Sequence, residues 1–334
     1  MGELEVRALN KDEYSLWDHL VETSPYGTIF HKSSWMNIGR EIFDRKLIIY
    51  GCFERGDLVG GCPLFIYKSS IFKMANSTFE MSPYGGIVLQ VTSSSKVRER
   101  EKQERDIIES LCNNFDKQRF SRVDIANSPN LVDIRPFIWN DWEYKLRYVY
   151  YFSLKDEIEK KVSKKVRNTV RKAINNAIKI KRSNDVDLFH DLFVMTYEKQ
   201  DREPPVKKQF FEKIIALIES ENIGEMWIAE ASSGKVASAE IIIWDNKNAY
   251  RWAAASHTEL KNTGATSLLL FEIFKDLKKR EFKEINLMAA NSPHLAKFIS
   301  SFNPRLVSYY SVIKKSRFRK IVESIYHSLN RLKK

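Results

Sequence analysis

The chain has 334 residues, 43% of them hydrophobic, and a formal net charge of +12. That length allows two domains of ordinary size with buried cores, and the charge favours an anionic partner: a phosphate-bearing substrate, nucleic acid or a membrane surface. Three cysteines, Cys52, Cys62 and Cys112, an odd count with no close pair, argue against a disulfide framework and for a reducing compartment.

The N-terminal stretch MGELEVRALNKDE is acidic and polar, without the charged-then-apolar order of a signal peptide. Gly2 is followed at position 6 by Val6 rather than Ser or Thr, against myristoylation. No uncharged apolar run approaches the ~18 residues needed to span a bilayer. A soluble, cytoplasmic chain is expected.

In chain order, the patterning predicts a helix at 32–43, strands within 46–90, a polar helix at 94–118, and strands at 120–126 and 143–153. The segment 155–178 reads as one strongly basic helix. Its stripe Ile158, Val162, Val166, Val170, Ile174 and Ala177 faces inward, and Lys160, Lys161, Lys164, Lys165, Arg167, Arg171 and Lys172 lie opposite. Helices follow near 186–200 and 207–221, strands at 225–232, 236–245 and 248–256, and a helix at 265–280. Strands near 283–289 and 305–313 enclose a short helix at 293–300. Residues 314–334 form a basic tail with Phe318, Ile321, Val322, Ile325, Leu329 and Leu332 as its apolar stripe. That tail either packs on the body or makes a peripheral contact with an anionic membrane. Helices interspersed with a mainly antiparallel sheet give a mixed α/β (α+β) class.

The chain repeats itself. IIYGCFERGDLVGGCPLFIY around Gly56 and MWIAEASSGKVASAEIIIWD around Gly234 are both hairpin patterns. VDIANSPNL (Val123 to Leu131) returns within INLMAANSPHL (Ile285 to Leu295), sharing Ala-Asn-Ser-Pro-x-Leu. Each copy leads to a Tyr pair, Tyr150–Tyr151 and Tyr309–Tyr310. Duplication predicts two similar domains, 1–152 and 153–313, followed by the tail. In each Asn-Ser-Pro element Ser128 or Ser292 can cap a helix whose first turn takes Pro129 or Pro293. Asn127 and Asn291 then sit at a strand's carboxyl end, where open α/β sheets hold ligands.

Candidate chemistry concentrates in the second half. The strand AYRWAAAS runs into HTELKNTGAT and then a helix, and a Gly-bearing loop opening a helix can bind phosphate through free N–H groups and the helix dipole. Lys261 adds charge there and Gly264 permits close backbone approach. The matching first-half junction, QVTSSSKVRER, has no Gly. His257 is a candidate base, or an ordinary polar loop residue. The six histidines, His19, His31, His190, His257, His294 and His327, lack metal-ligand spacing, so no metal is expected.

SPYGTIFHKSSW (Ser24 to Trp35), the KKVRNTVRKAINNAIKIKR segment and GATSLLLFEIFKDLKKREFKEINLM stand in an order similar to FemAB-like proteins, which resemble two fused acetyltransferase-type (GNAT) domains. The resemblance covers nearly the whole chain. It implies two tandem GNAT-like domains, each a mainly antiparallel sheet flanked by helices, and transfer of an acyl or aminoacyl group to an amine. The donor it implies is acyl-CoA or aminoacyl-tRNA; the acceptor is a phosphorylated, sugar- or lipid-linked envelope precursor.

By that resemblance the donor's pyrophosphate lies at Lys261, Asn262, Gly264, Ala265 and Thr266, where the family pattern is Arg or Gln, two residues, Gly, one residue, Gly or Ala. Arg167, Arg171 and Lys172 match the region that grips acceptor phosphates, with Asn291 at the crevice. The family's Phe-Lys-x-x-Phe reads Phe298, Ile299, Ser300, Ser301, Phe302 here, with Lys297 one position earlier. Ile299 opposes an aminoacyl-tRNA donor, and the positive charge supports one. A non-catalytic binding module on the same fold is the third reading.

Overall fold

A computed structural model of the chain describes residues 3–92 and 94–322. It forms two compact units: one takes the chain up to Arg147 and again from Tyr309 onward, and the other is Tyr148–Ser308.

The first unit contains β1 (Leu4–Ala8), α1 (Tyr14–Thr23), α2 (Ser33–Ile42), β2 (Lys46–Glu54), β3 (Asp57–Ser69), β4 (Phe72–Asn76), β5 (Val88–Leu89), α3 (Val97–Lys117), β6 (Arg122–Ala126) and α4 (Arg135–Trp139). Strand β7 (Glu143–Ser153) carries the chain into the second unit. There follow α5 (Ile158–Lys161), α6 (Lys164–Asn175), β8 (Lys179–Arg182), α7 (Val186–Glu198), α8 (Lys208–Glu221), β9 (Gly224–Glu230), β10 (Val236–Trp244), β11 (Ala249–Ser256), α9 (Ala265–Lys279), β12 (Glu284–Met288) and α10 (Pro293–Ser300). Strand β13 (Arg305–Lys315) returns the chain to the first unit.

The two sheets share one plan. In the first unit the order is β1-β2-β3-β4-β6-β13, with β5 beside β3; in the second it is β8-β9-β10-β11-β12-β7. Neighbours are antiparallel except one pair in each, β4 with β6 and β11 with β12. A parallel pair needs a crossover, and a helix supplies it in both units: α3 in the first, α9 in the second. Both are amphipathic. Helix α3 buries Ile107, Ile108, Leu111, Cys112 and Phe115, at the spacing of one helical face. Helix α9 buries Leu268 to Phe271, Ile273, Phe274 and Leu277, and Phe152 stacks on Phe274 at 4.3 Å.

Both hairpins form where the repeats placed them. The β2–β3 turn uses Arg55 and Gly56 with φ of 53° and 92°, the paired left-handed conformation that twists correctly into a two-residue hairpin. The three cysteines are free and buried. Burial pushes the Cys52 thiol up to about 12 and Cys62 and Cys112 well above the usual range, so they are inert packing residues.

Several expectations are corrected. The basic helix expected over 155–178 is broken at Val162 and Ser163. The Ser163 side chain accepts from the Val166 N–H and starts α6 afresh. A stripe at strict four-residue spacing also drifts by about 40° per step on a helix. Ile158, Val162, Val166 and Val170 are therefore buried, while Ile174 is 57% exposed and Ala173 takes its place in the core. Ser128 starts no helix; its hydroxyl donates to the Tyr26 carbonyl at 2.8 Å, and the helix comes later, at α4. Pro293 does sit in the first turn of α10, but Ser292 makes no side-chain cap bond.

The end of each half also departs from a simple end-to-end pair. The second half's last strand, β13, pairs with β6 at Ser311–Lys315 and completes the first unit's sheet. The first half's last strand, β7, pairs with β12 at Tyr150–Ser153 and completes the second. Of the expected C-terminal helix, Lys314 and Lys315 belong to β13, residues 317–322 are helical, and 323–334 lie outside the described residues.

Val312 is fully buried in the first unit's core with Val123 and Ile125. Val312→Ala is expected to cost about 2–3 kcal/mol. Hydrogen exchange should show the lost protection in β6 rather than in β10.

Candidate functional site

The phosphate-loop candidate is a 3-10 turn, Lys261–Thr263, ending at Gly264 and opening α9. Gly264 has φ 85° and ψ 2°, a left-handed conformation that favours glycine. A Cβ there would stand 2.7 Å from the Thr169 carbonyl oxygen and 3.2 Å from the Ala173 Cβ. Gly264 is therefore needed for helix packing, because α6 presses directly on the start of α9. Its carbonyl accepts from the Ser267 and Leu268 N–H groups, and its own N–H stands where the 3-10 turn from Lys261 closes. Lys261 and Asn262 are exposed; Ala265 is buried and donates its N–H to the Thr263 hydroxyl at 3.3 Å.

Thr266 ties this turn to the sheet. Its hydroxyl donates to Ser238 on β10 at 3.2 Å, and Ser238 donates to the Ala255 carbonyl on β11 at 3.2 Å. The N-terminus of α9 thus sits at the carboxyl end of β11. There the sheet opens. β12 pairs with β11 only at Ala249/Ile285 and Tyr250/Asn286, and β11 runs on to Ser256. The strand from Arg251 onward has no strand partner on that side among the described residues. His257 follows; its N–H donates to the Ala237 carbonyl at 3.0 Å, continuing the β10–β11 ladder, and its Nδ1 accepts from the Glu259 N–H at 3.3 Å in the turn.

The basic helix divides by direction. Thr169 and Ala173 face Gly264, and the Asn176 amide donates to the Thr263 carbonyl at 3.3 Å. At about 100° per residue, Lys165 and Lys172 lie roughly 40–60° from Thr169, on the exposed side beside the loop. Lys164 and Arg171 lie roughly 140–160° away, on the outer face. Arg167 is half-buried; its Nη1 donates to the Val162 carbonyl at 2.5 Å and the Glu159 carbonyl at 3.2 Å, closing the end of α5. Lys164, Lys165, Arg171 and Lys172 have no carboxylate within ion-pair distance among the described residues.

Asn291 has its side chain committed: Oδ1 accepts from the Tyr148 N–H at 2.9 Å and Nδ2 donates to the Tyr148 carbonyl at 2.8 Å. It extends the β12–β7 ladder with its amide. Asn127 in the first unit is fully buried and accepts from the Ile87 N–H at 3.1 Å. In the second unit, Tyr151 on β7 hydrogen-bonds Asn286, and burial raises its phenol well above the usual range. Ile299 is fully buried against α9's core, in a cluster with Phe274 and Phe302, and Lys297 is exposed. Among the described residues no group of three or more His, Cys, Asp or Glu is placed to hold a metal.

Sequence reasoning missed the strongest polar feature of this unit. Glu240 on β10 and Arg251 on β11 form an ion pair at 2.5 Å, with side chains 0% and 7% exposed. It lies beside the β10–β11 register irregularity at Ile241/Ile242, where β11 leaves β12. Glu240 Oε2 and Arg251 Nε have no partner. The available signal was one charge in each of two otherwise apolar strands, VASAEIIIW and AYRWAAAS.

Burial raises the Glu240 carboxyl, and Arg251 opposes that rise by charge and hydrogen bond. A carboxyl raised in the folded state lends stability that is full below its unfolded value of about 4.3 and is lost as pH climbs through the folded value. Removing the guanidinium raises it further. Arg251→Met should therefore lose about 3–5 kcal/mol at pH near 8, and less at pH near 5. Denaturant melts at both pH values measure this; an equal deficit at both would assign the loss to another group.

Residues 161–294 match the family described as acetyltransferase (GNAT) domain. No curated protein matches the sequence. Among solved structures, FemX shares 10% identity with a TM-score of 0.69, over 92% of this chain and 96% of that one. A domain of a putative lysylphosphatidylglycerol synthetase from Agrobacterium fabrum shares 10%, TM-score 0.59, over 94% and 95%. A tandem GNAT protein from the clavulanic acid biosynthesis pathway shares 12%, TM-score 0.58, over 94% and 98%. Likeness at such identities shows the fold. The chain thus has a tandem-GNAT, FemAB-like fold, carries a GNAT acetyltransferase domain over 161–294, and is an acyltransferase in its chemistry.

Proposed function

We propose that the second unit binds the acyl donor and transfers its acyl or aminoacyl group to an amine of a phosphorylated, sugar- or lipid-linked cell-envelope precursor. The observation that carries this reading is the open edge of β11 beside the glycine-led start of α9. Anionic phosphates fit a helix N-terminus with lysines around it. Lys261, Lys165 and Lys172 surround this one, so Lys172 serves the donor here rather than the acceptor. Arg171 and Lys164, on the outer face of α6, are left for longer polyanions. Asn291 holds the strand ends rather than a substrate.

Along the open edge, backbone N–H groups would polarise the donor carbonyl and steady the oxyanion that forms on attack. The attacking amine must be neutral, so one proton leaves it and one reaches the departing thiol or ribose hydroxyl. Ligation by acyl-CoA suits the GNAT domain in general. An aminoacyl-tRNA donor is the second reading, favoured by the unpaired outer cations of α6 and by the fold shared with FemX and a putative lysylphosphatidylglycerol synthetase.

Purified protein supplied with acyl-CoA or aminoacyl-tRNA and a panel of amino-sugar and lipid-linked amines is expected to transfer from one donor class. Lys261→Glu with Lys172→Glu should raise the donor KM about tenfold or more, with kcat and the melting temperature little changed. If tRNA is the donor, reversing Lys164 and Arg171 should also reduce the salt dependence of binding. Absence of transfer from either donor to every amine would defeat the proposal.

A further inference from the structure

The first unit carries a surface that acyl transfer does not use. The hairpin of β3 and β4 turns through Ser70, φ 57°, and its tip residue Ile71 is 81% exposed. The helical segment 317–322 lies against this tip. The Phe72 and Phe318 rings are 6.0 Å apart, and the Arg319 guanidinium is 4.7 Å from the centre of the Phe72 ring. Phe318 and Ile321 are three positions apart and share one helix face. That face is open to solvent, with Phe318 59% and Ile321 57% exposed. Single exposed apolar residues need no explanation, but three large ones on two touching elements form a patch.

Cations frame the patch. Lys68 and Lys73 are exposed on the hairpin, and Arg317 and Lys320 on the helical segment. Lys73 also donates to the Gln118 carbonyl at 3.1 Å, which brings the end of α3, with exposed Lys117 and Arg119, to the same place. Against these stand exposed Asp116 and Glu143, the latter 3.8 Å from Lys320. A second copy docked on this face by a twofold axis would set like charges against each other. An anionic bilayer answers both features: apolar side chains enter the boundary of headgroups and acyl chains, and lysines and arginines meet lipid phosphates.

We propose that the β3–β4 hairpin tip and the helical segment 317–322 dock the first unit onto an anionic membrane surface, with Ile71, Phe318 and Ile321 inserted among the headgroups. The inference does not depend on which donor or acceptor the second unit takes.

The test is flotation of the full chain with vesicles of phosphatidylcholine alone or with about one third phosphatidylglycerol. Binding to the anionic vesicles only, weakened by added salt, is expected. Ile71→Asp, at a solvent-facing tip, should keep the wild-type melting temperature and weaken binding about tenfold. Arg317→Glu should weaken it about fivefold or more. Equal binding to neutral vesicles, no binding to either, or binding indifferent to Ile71→Asp overturns the proposal. A dimer in sedimentation velocity that Ile71→Asp dissolves would also overturn it, assigning the face to a second copy.

Discussion

One parallel strand pair in each unit governs the rest of the architecture. Two parallel neighbours cannot be joined by a tight turn, so the chain must leave the sheet and cross it through a helix. In the second unit that requirement puts the N-terminus of α9 at the carboxyl end of β11. The parallel pairing then lasts for two residue pairs before β11 continues with β10 as its one strand partner among the described residues. A helix start, with its positive dipole end, and an unpaired strand edge are thereby placed side by side. The Thr266–Ser238–Ala255 hydrogen bonds hold them in that relation. The first unit has the same crossover through α3, but its junction lacks a glycine.

Close packing at this junction explains why glycine stands at 264. The helix α6 approaches so near that the Thr169 carbonyl occupies the space a Cβ would need. At about 100° per residue, Lys165 and Lys172 lie toward the Thr169 side of α6, and Lys164 and Arg171 lie away from it. A basic helix read from sequence as one acceptor-binding surface is, in the folded chain, two faces with different neighbours. Arg167 illustrates the point further: its charge is partly used to satisfy carbonyls where α5 ends and α6 begins.

Local patterns were legible in the sequence and partnerships were not. The hairpins around Gly56 and Gly234, the crossover helix at α9 and the Pro-led α10 follow from turn chemistry and periodicity. That β13 completes the first sheet and β7 the second does not, because RLVSYYSVIKK and EYKLRYVYYFS say strand without naming a neighbour. The repeated Asn-Ser-Pro element marked a real junction, yet Asn291 proved to pair with the Tyr148 backbone, a geometry that only long-range proximity creates. Glu240 and Arg251 escaped notice for the same reason. Each is one charge in an apolar strand, and they lie 11 residues apart until the β10–β11 pairing joins them.

The central claim is that donor phosphates meet the backbone amide at the start of α9. The chain has 12 glycines, so isotope labelling of glycine alone gives an amide spectrum simple enough to assign. Titrating the labelled protein with acyl-CoA and with aminoacyl-tRNA should shift the Gly264 amide strongly with the donor that supports transfer, and leave Gly56, in the β2–β3 turn, unmoved. A donor that is turned over while the Gly264 resonance stays in place would contradict the account.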